Sequence, residues 1–311
     1  MHNKNESSLS PILGLVAGIF AVSSASLLIR FAQREAPSIV IAMYRMAISA
    51  VVLSPFFLRK AIKEIALLDK KTKVLLALSG TFLALHFTFW ITSLEYTTVA
   101  SSVVLVTTAP LWVALFSPFF LNEKLNKWIL GGLAVSLIGS IVVGISGSCS
   151  FSASGFSCEN LKTAFTGRIF WGDLMALLGA FLSGGYLMVG RKVRGKVSLP
   201  TYIYSVYSVS AIVLLLLVII TREKITGYST ETYIWMIGLA VIPQLIGHSV
   251  FNWALKYLSA AYVSISLLGE PIGTVILTMI FLHESPATLE IIGGALILIG
   301  IGLATFSQRK N

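Results

Sequence analysis

Leu255–Gly300 reads LKYLSAAYVSISLLGEPIGTVILTMIFLHESPATLEIIGGALILIG, and the chain carries the same pattern earlier, at Leu94–Gly139, as LEYTTVASSVVLVTTAPLWVALFSPFFLNEKLNKWILGGLAVSLIG. A constant shift of 161 positions (Pro110 to Pro271), without gaps, places Leu94, Tyr96, Ala100, Pro110, Phe120, Leu121, Glu123, Gly132, Ala134 and Gly139 on identical residues. The same shift carries Gly18, Phe20 and Arg30 onto Gly179, Phe181 and Arg191. The chain is therefore one unit used twice.

What the unit is made of follows from composition. Of 311 residues, 56% are hydrophobic and only 12% charged, and the mean hydropathy is +0.87. A soluble core cannot bury that much apolar surface, so the chain reads as a membrane protein. A spanning helix needs roughly 20 apolar residues. That length recurs at 11–29, 38–58, 74–93, 99–121, 128–147, 169–190, 201–220, 233–253, 260–282 and 289–306. The polar start MHNKNESSLSP leads into a run ending at Arg30 without a convincing cleavage site, so the first segment reads as a retained span. Arg59–Lys73 and Ser148–Arg168 read as the longest loops. Each unit holds five helices, an odd number, so the second copy enters the bilayer from the opposite side. The expected fold class is an all-α multi-pass membrane protein of ten transmembrane helices, built as two inverted five-helix repeats. Residues 1–147 form the first repeat, 148–168 an extracytoplasmic junction loop, and 169–311 the second repeat.

The net charge of +10 does not point to nucleic acid, because the Lys and Arg residues fall in short clusters between apolar runs. Sorted by side under strict alternation, 16 of them share the side of both termini and 6 lie opposite, with Arg45 inside a helix. The positive-inside rule then places both termini in the cytoplasm. On that topology Cys149 and Cys158 share the outer loop, where either a disulfide or two free thiols is compatible with the sequence.

Glu270 and Pro271 stand side by side in an apolar run. An acid at that depth costs about 2.5–3.5 kcal/mol on insertion scales, and a proline about 3 in helix propensity. Pro110 and Pro271 are expected to kink their helices at matching depth and free the carbonyls of Val106 and Leu267. Glu270 has Ala109 as its counterpart, so the acid belongs to one half only. It reads either as a proton- or substrate-binding carboxylate or as a protonated acid bonded to a neighbouring helix. Arg45 reads as a holder of an anionic group, as the partner of an acid, or as a residue snorkelling to headgroups. His86 and His248 occupy similar places in the two halves, and no ligand spacing supports a metal site. Gln244 and Asn252 share a helix face with His248. Trp90, Trp112, Tyr44 and Tyr207 could line an apolar cavity or simply pack. Gly132, Ser136, Ser140 and Gly144 form a small-residue stripe suited to helix packing. Phosphate loops, nucleophile elbows and dinucleotide fingerprints are absent from the sequence.

The paired stretches, with their L-x-Y entry, mid-helix proline, glutamate closing that helix and glycine-rich final helix, resemble the EamA domains of the drug/metabolite transporter superfamily. Arg45 matches a family arginine in the second helix. The resemblance implies a ten-helix secondary transporter of the inner or plasma membrane, often an exporter of amino acids, related metabolites or drugs. Residues 148–168 depart from it by exceeding the usual junction. The expectation is a transporter of small organic solutes working by alternating access, with Glu270 as a candidate for proton coupling. A non-transporting scaffold or receptor is the alternative. No cofactor and no enzymatic activity are expected. The expected partners are a small-molecule solute, the lipid bilayer and, as an open arrangement, a second copy of the chain.

Overall fold

The computed structural model describes residues 11–121, 127–146, 149–152, 155–158, 166–258, 260, 263, 267 and 269–306. In chain order the elements are α1 (Pro11–Ser23), α2 (Ala25–Ala32), α3 (Ser38–Ala66), α4 (Lys70–Tyr96), α5 (Val99–Val106), α6 (Ala109–Leu121) and α7 (Lys127–Gly144), then the strands β1 (Cys149–Ser152) and β2 (Gly155–Cys158). There follow α8 (Arg168–Arg194), α9 (Leu199–Thr221) and α10 (Thr230–Leu239), a π-helical turn over Ala240–His248, α11 (Ser249–Ala254), α12 (Gly269–Phe281) and α13 (Thr288–Phe306). Among the described residues, seven helical segments are long and apolar enough to cross a membrane, and three shorter apolar helices lie at Leu130–Val143, Gly269–Phe281 and Thr288–Gly300. The chain is an all-α multi-pass membrane protein.

Two stretches expected as loops are ordered differently. Within Arg59–Lys73, α3 continues to Ala66 and α4 begins at Lys70, where Asp69 caps it by accepting from the Thr72 amide at 3.2 Å. Hydropathy falls there because the helices leave the apolar layer, not because they end. Within Ser148–Arg168, β1 and β2 pair antiparallel and place Cys149 opposite Cys158, joined as a disulfide. Gly155, at φ +109°, supplies the turn conformation that other residues resist. Glu123, repeat partner of Glu284, and Lys124 lie outside the described residues.

The inversion of the repeat is visible in how glycines let α7 and α13 meet. A Cβ on Gly139 would stand 2.6 Å from the Gly293 carbonyl, and one on Gly293 would stand 2.7 Å from the Gly139 carbonyl. A Cβ on Gly300 would stand 2.5 Å from the Gly132 carbonyl. The repeat shift carries Gly132 to Gly293 and Gly139 to Gly300, so the two crossings are one crossing seen twice. Low numbers meet high ones, so the helices run antiparallel and the two-fold relation lies across them. The remaining pairings obey the same relation. α3 packs on α9, while α4 on α8 in one arrangement corresponds to α1 and α2 on the segment from α10 to α11 in the other.

Acids close the ends of these helices, where the first amides lack partners. Glu95 accepts from the Ser38 amide at 3.1 Å, at the start of α3. Glu64 accepts from Ser198 and Thr201 at the start of α9. Glu35 accepts from the Ser229 amide at 2.8 Å and the Thr232 hydroxyl at 2.9 Å at the start of α10, and these bonds hold its carboxyl below the usual range. Each cap ties a helix start to a different segment, so the few acids of this chain serve as links between helices.

The crossing sets a prediction. Gly139→Ala should lower the thermal midpoint in detergent, over-packing there costing about 1–3 kcal/mol. Gly131, which has open space around a would-be Cβ, should tolerate alanine or gain up to about 1 kcal/mol of helix propensity. Equal shifts for the two variants would contradict the crossing.

Candidate functional site

In the first half the helix carrying Pro110 is broken. Between α5 and α6 the chain is interrupted at Thr107 and Thr108, whose hydroxyls donate to the Val104 and Leu105 carbonyls at 2.9 and 2.7 Å. In the second half α12 starts at Gly269. Pro110 is the second residue of α6 and Pro271 the third of α12, both in the first turn, where a missing amide hydrogen does no harm. One expectation fails here: the Leu267 carbonyl is not free, because the Glu270 amide donates to it at 2.9 Å. The tight turn takes up what the proline would have left unpaired. Ser23, at the end of α1, donates to the Glu270 carbonyl at 3.3 Å, and Thr274 donates to the Ser23 carbonyl at 3.0 Å. The backbone carrying Glu270 is thus pinned to the first helix.

Beside this break and the start of α12 lies a cavity of about 30 Å³, lined by Glu270, Pro110, His86, His248, Trp90 and Ser183 among others. Phe87 and His248 are repeat partners, and their rings meet edge to face at 5.4 Å. The cavity therefore sits at the boundary between the halves. The His86 Nδ1–H donates to the Gly179 carbonyl at 2.9 Å, which leaves Nε2 as an acceptor. Trp90 stacks on His86 with ring centroids 5.8 Å apart. Glu270 is 8% exposed, and its carboxyl makes no hydrogen bond to a described residue.

Arg45 supplies the opposing charge. Its side chain is 0% exposed, so it does not snorkel to headgroups. The guanidinium lies 4.0 Å over the Phe87 ring and donates from Nε to Gln244 Oε1 at 2.8 Å. Both terminal nitrogens have no hydrogen-bond partner among the described residues. Arg45 and Glu270 attract each other electrostatically. They do not touch: among the described residues the one ion pair within 4 Å is Arg30–Glu284, at 3.6 Å.

The π-helical turn explains how Gln244 comes to this place. Pro243 cannot donate within the helix and clashes with the preceding turn, and a wide turn relieves both effects. Gln244 then faces Arg45, and a chain of polar contacts continues from it. The Tyr207 hydroxyl donates to the Gln244 carbonyl at 3.3 Å, Asn252 Nδ2 donates to Tyr207, and Tyr186 donates to Asn252 Oδ1. Asn252 therefore supports the site from behind.

Tyr44 lies elsewhere. Its hydroxyl donates to the Ile225 carbonyl at 3.2 Å and its ring meets Tyr233, near the start of α10. Trp112 packs on Phe181, away from the cavity. Thr107 and Ser183 line the cavity without having been singled out from sequence. A hydroxyl pair just before a mid-helix proline was the available signal. Asp173 is a further buried acid, accepting from Thr97 and Ser101 hydroxyls at 2.8 and 2.7 Å, and Thr98 donates to Glu290 beside it. These two acids anchor the start of α5.

Fold and site together define the class: a membrane transporter of two inverted halves with a charged cavity between them. The chain belongs to the EamA-like transporter family, whose model matches residues 9–145 and again 170–306. An uncharacterized transporter of Archaeoglobus fulgidus is 25% identical over 237 residues, 76% of each chain. The uncharacterized transporter YxxF of Bacillus subtilis is 25% identical over 233 residues, 75% of this chain and 69% of its own. A probable terminal-alkyne amino-acid exporter of Streptantibioticus cattleyicolor is 22% identical over 213 residues, 67% of this chain and 65% of its own. A solved crystal structure shares the fold, with a TM-score of 0.65 and 19% identity over 96% of this chain and 98% of that one.

The two kinds of buried acid should separate by mutation. Asp173→Ala leaves the Thr97 and Ser101 hydroxyls without their acceptor and should cost about 1–3 kcal/mol of stability, read as a lower thermal midpoint. Solute flux per folded molecule should stay at the wild-type level; a loss of flux without a loss of stability would make Asp173 part of the transport pathway.

Proposed function

We propose that the protein exports small organic metabolites, amino acids and chemically similar solutes foremost, from the cell in exchange for protons, by alternating access. The Arg45 guanidinium, whose two terminal nitrogens have no hydrogen-bond partner among the described residues and which Glu270 opposes across the boundary between halves, carries this reading. A buried cation with two free forked donors suits a carboxylate better than any other small group. Glu270, whose carboxyl has no hydrogen bond to a described residue at the same cavity, suits an ammonium. An α-amino acid offers both, at a spacing of one carbon.

Coupling follows from competition. An ammonium group and a proton cannot both occupy the Glu270 carboxylate, so a solute loading from inside displaces the proton. When the solute leaves on the far side, a proton takes its place and rides inward, and an inward proton gradient drives export. A cavity of about 30 Å³ holds on the order of one water, so passage of a solute requires the halves to part. Inverted halves supply that motion when they exchange conformations. The printed name of the Streptantibioticus cattleyicolor relative, an amino-acid exporter, supports this solute class.

Glu270→Gln should reach the membrane and still exchange labelled solute for unlabelled solute in proteoliposomes, yet lose accumulation driven by a pH gradient. Gradient-driven flux at the wild-type level would remove the proton role. Arg45→Gln should weaken solute binding by roughly tenfold to a hundredfold, the loss of a charge-assisted hydrogen bond.

The charge sorting supports a cell-membrane protein with both termini in the cytoplasm and the β1–β2 hairpin outside. In intact cells an impermeant maleimide should label Cys149 and Cys158 after external reduction and not before. Labelling before reduction would mean free thiols, and none after it would put the hairpin inside.

A further inference from the structure

A groove of about 260 Å³ runs between α4, α6 and α8 on an outer face of the bundle where Leu78, Phe120 and Phe181 are exposed. Four phenylalanines wall it: Phe82, Phe116, Phe120 and Phe181. Gly185 forms its floor, where a Cβ would stand 3.1 Å from the Phe82 ring. Its one charged lining residue is Lys192, which closes the end next to Leu75. Lys71 stands one turn before Leu75 on α4, at that same end. Both lysines are exposed, and neither has a hydrogen-bond or ion-pair partner among the described residues.

We infer that this groove is a binding site for one anionic phospholipid, its acyl chain lying among the phenylalanines and its phosphate held by Lys71 and Lys192. The dimensions fit one leaflet. Phe181 to Lys192 is about 16 Å along a helix, and half of a bilayer's hydrocarbon core is about 15 Å. The charge fits as well, because the polar end of the groove carries two cations and no acid lines it.

The repeat provides an internal comparison. In the other half Phe31 occupies the place of Lys192, and its ring packs on Trp235 at a centroid distance of 4.9 Å. Ser24 stands where Gly185 would be. The aromatic pair fills the corresponding end, so the lysine-rimmed groove is a departure from symmetry and not a by-product of the fold.

The test uses the full-length protein in detergent with phosphatidylglycerol and phosphatidylcholine analogues carrying a photoreactive acyl chain, the cross-links being mapped by mass spectrometry. The glycerol lipid should label the Leu75–Phe82 and Phe181–Lys192 stretches in clear excess over the choline lipid. Lys71→Gln and Lys192→Gln should each reduce that preference by about fivefold. Leu78→Trp, an exposed lining position, should lower labelling by both lipids. Equal labelling by the two lipids, a preference that survives the double glutamine variant, or displacement of the probe by a transported solute would each overturn the assignment.

Discussion

Removing a guanidinium from water costs several kcal/mol even after the protein relaxes around it, and a bilayer supplies no water to offset that cost. Arg45 is fully buried, with one side-chain hydrogen bond and one aromatic face to support it. Much of the central architecture answers to that charge. The π-helical turn presents Gln244 to it, Phe87 lies beneath it, and Glu270 provides the opposing charge from the other half. Other acids, at Glu35, Glu64, Glu95, Asp173 and Glu290, are occupied at helix starts. Glu270 differs from them in that no described residue donates to its carboxyl, which fits the proposed exchange of a proton for a solute.

Symmetry and its exceptions divide the work of the molecule. The glycine crossings of α7 and α13 and the Phe87–His248 contact obey the two-fold relation and hold the halves together. The chemistry sits where the relation fails. Glu270 faces Ala109 across the repeat, Arg45 corresponds to Val206, and His86 corresponds to Gly247. In each case one half keeps a small or apolar residue while the other acquires a polar one. A duplicated scaffold can carry such changes because only one copy of each contact is needed for packing.

The repeat, the helix positions and the burial of Glu270 were legible in the sequence, because hydropathy, a gapless shift and an acid in an apolar run are local signals. What escaped depended on distance along the chain. Tyr44 and Arg45 are neighbours in sequence, yet one reaches the loop carbonyl of Ile225 and the other the cavity, a difference set by α10 and the π-helical turn more than 180 residues away. Asp173 was not singled out from the sequence, because its partners, Thr97 and Ser101, lie in the other half. The charged continuations of α3 and α4 were hidden because hydropathy marks where a helix leaves the membrane and not where it stops.

The central claim is that solute and proton compete for Glu270 while Arg45 holds the solute's carboxylate. Proton release on solute binding tests it most directly, measured with a pH indicator in weakly buffered detergent solution as a transported amino acid is added to purified protein. The account predicts a rise in free protons that saturates with the solute and disappears in Glu270→Gln. No release from the wild type, or the same release from the variant, would contradict it.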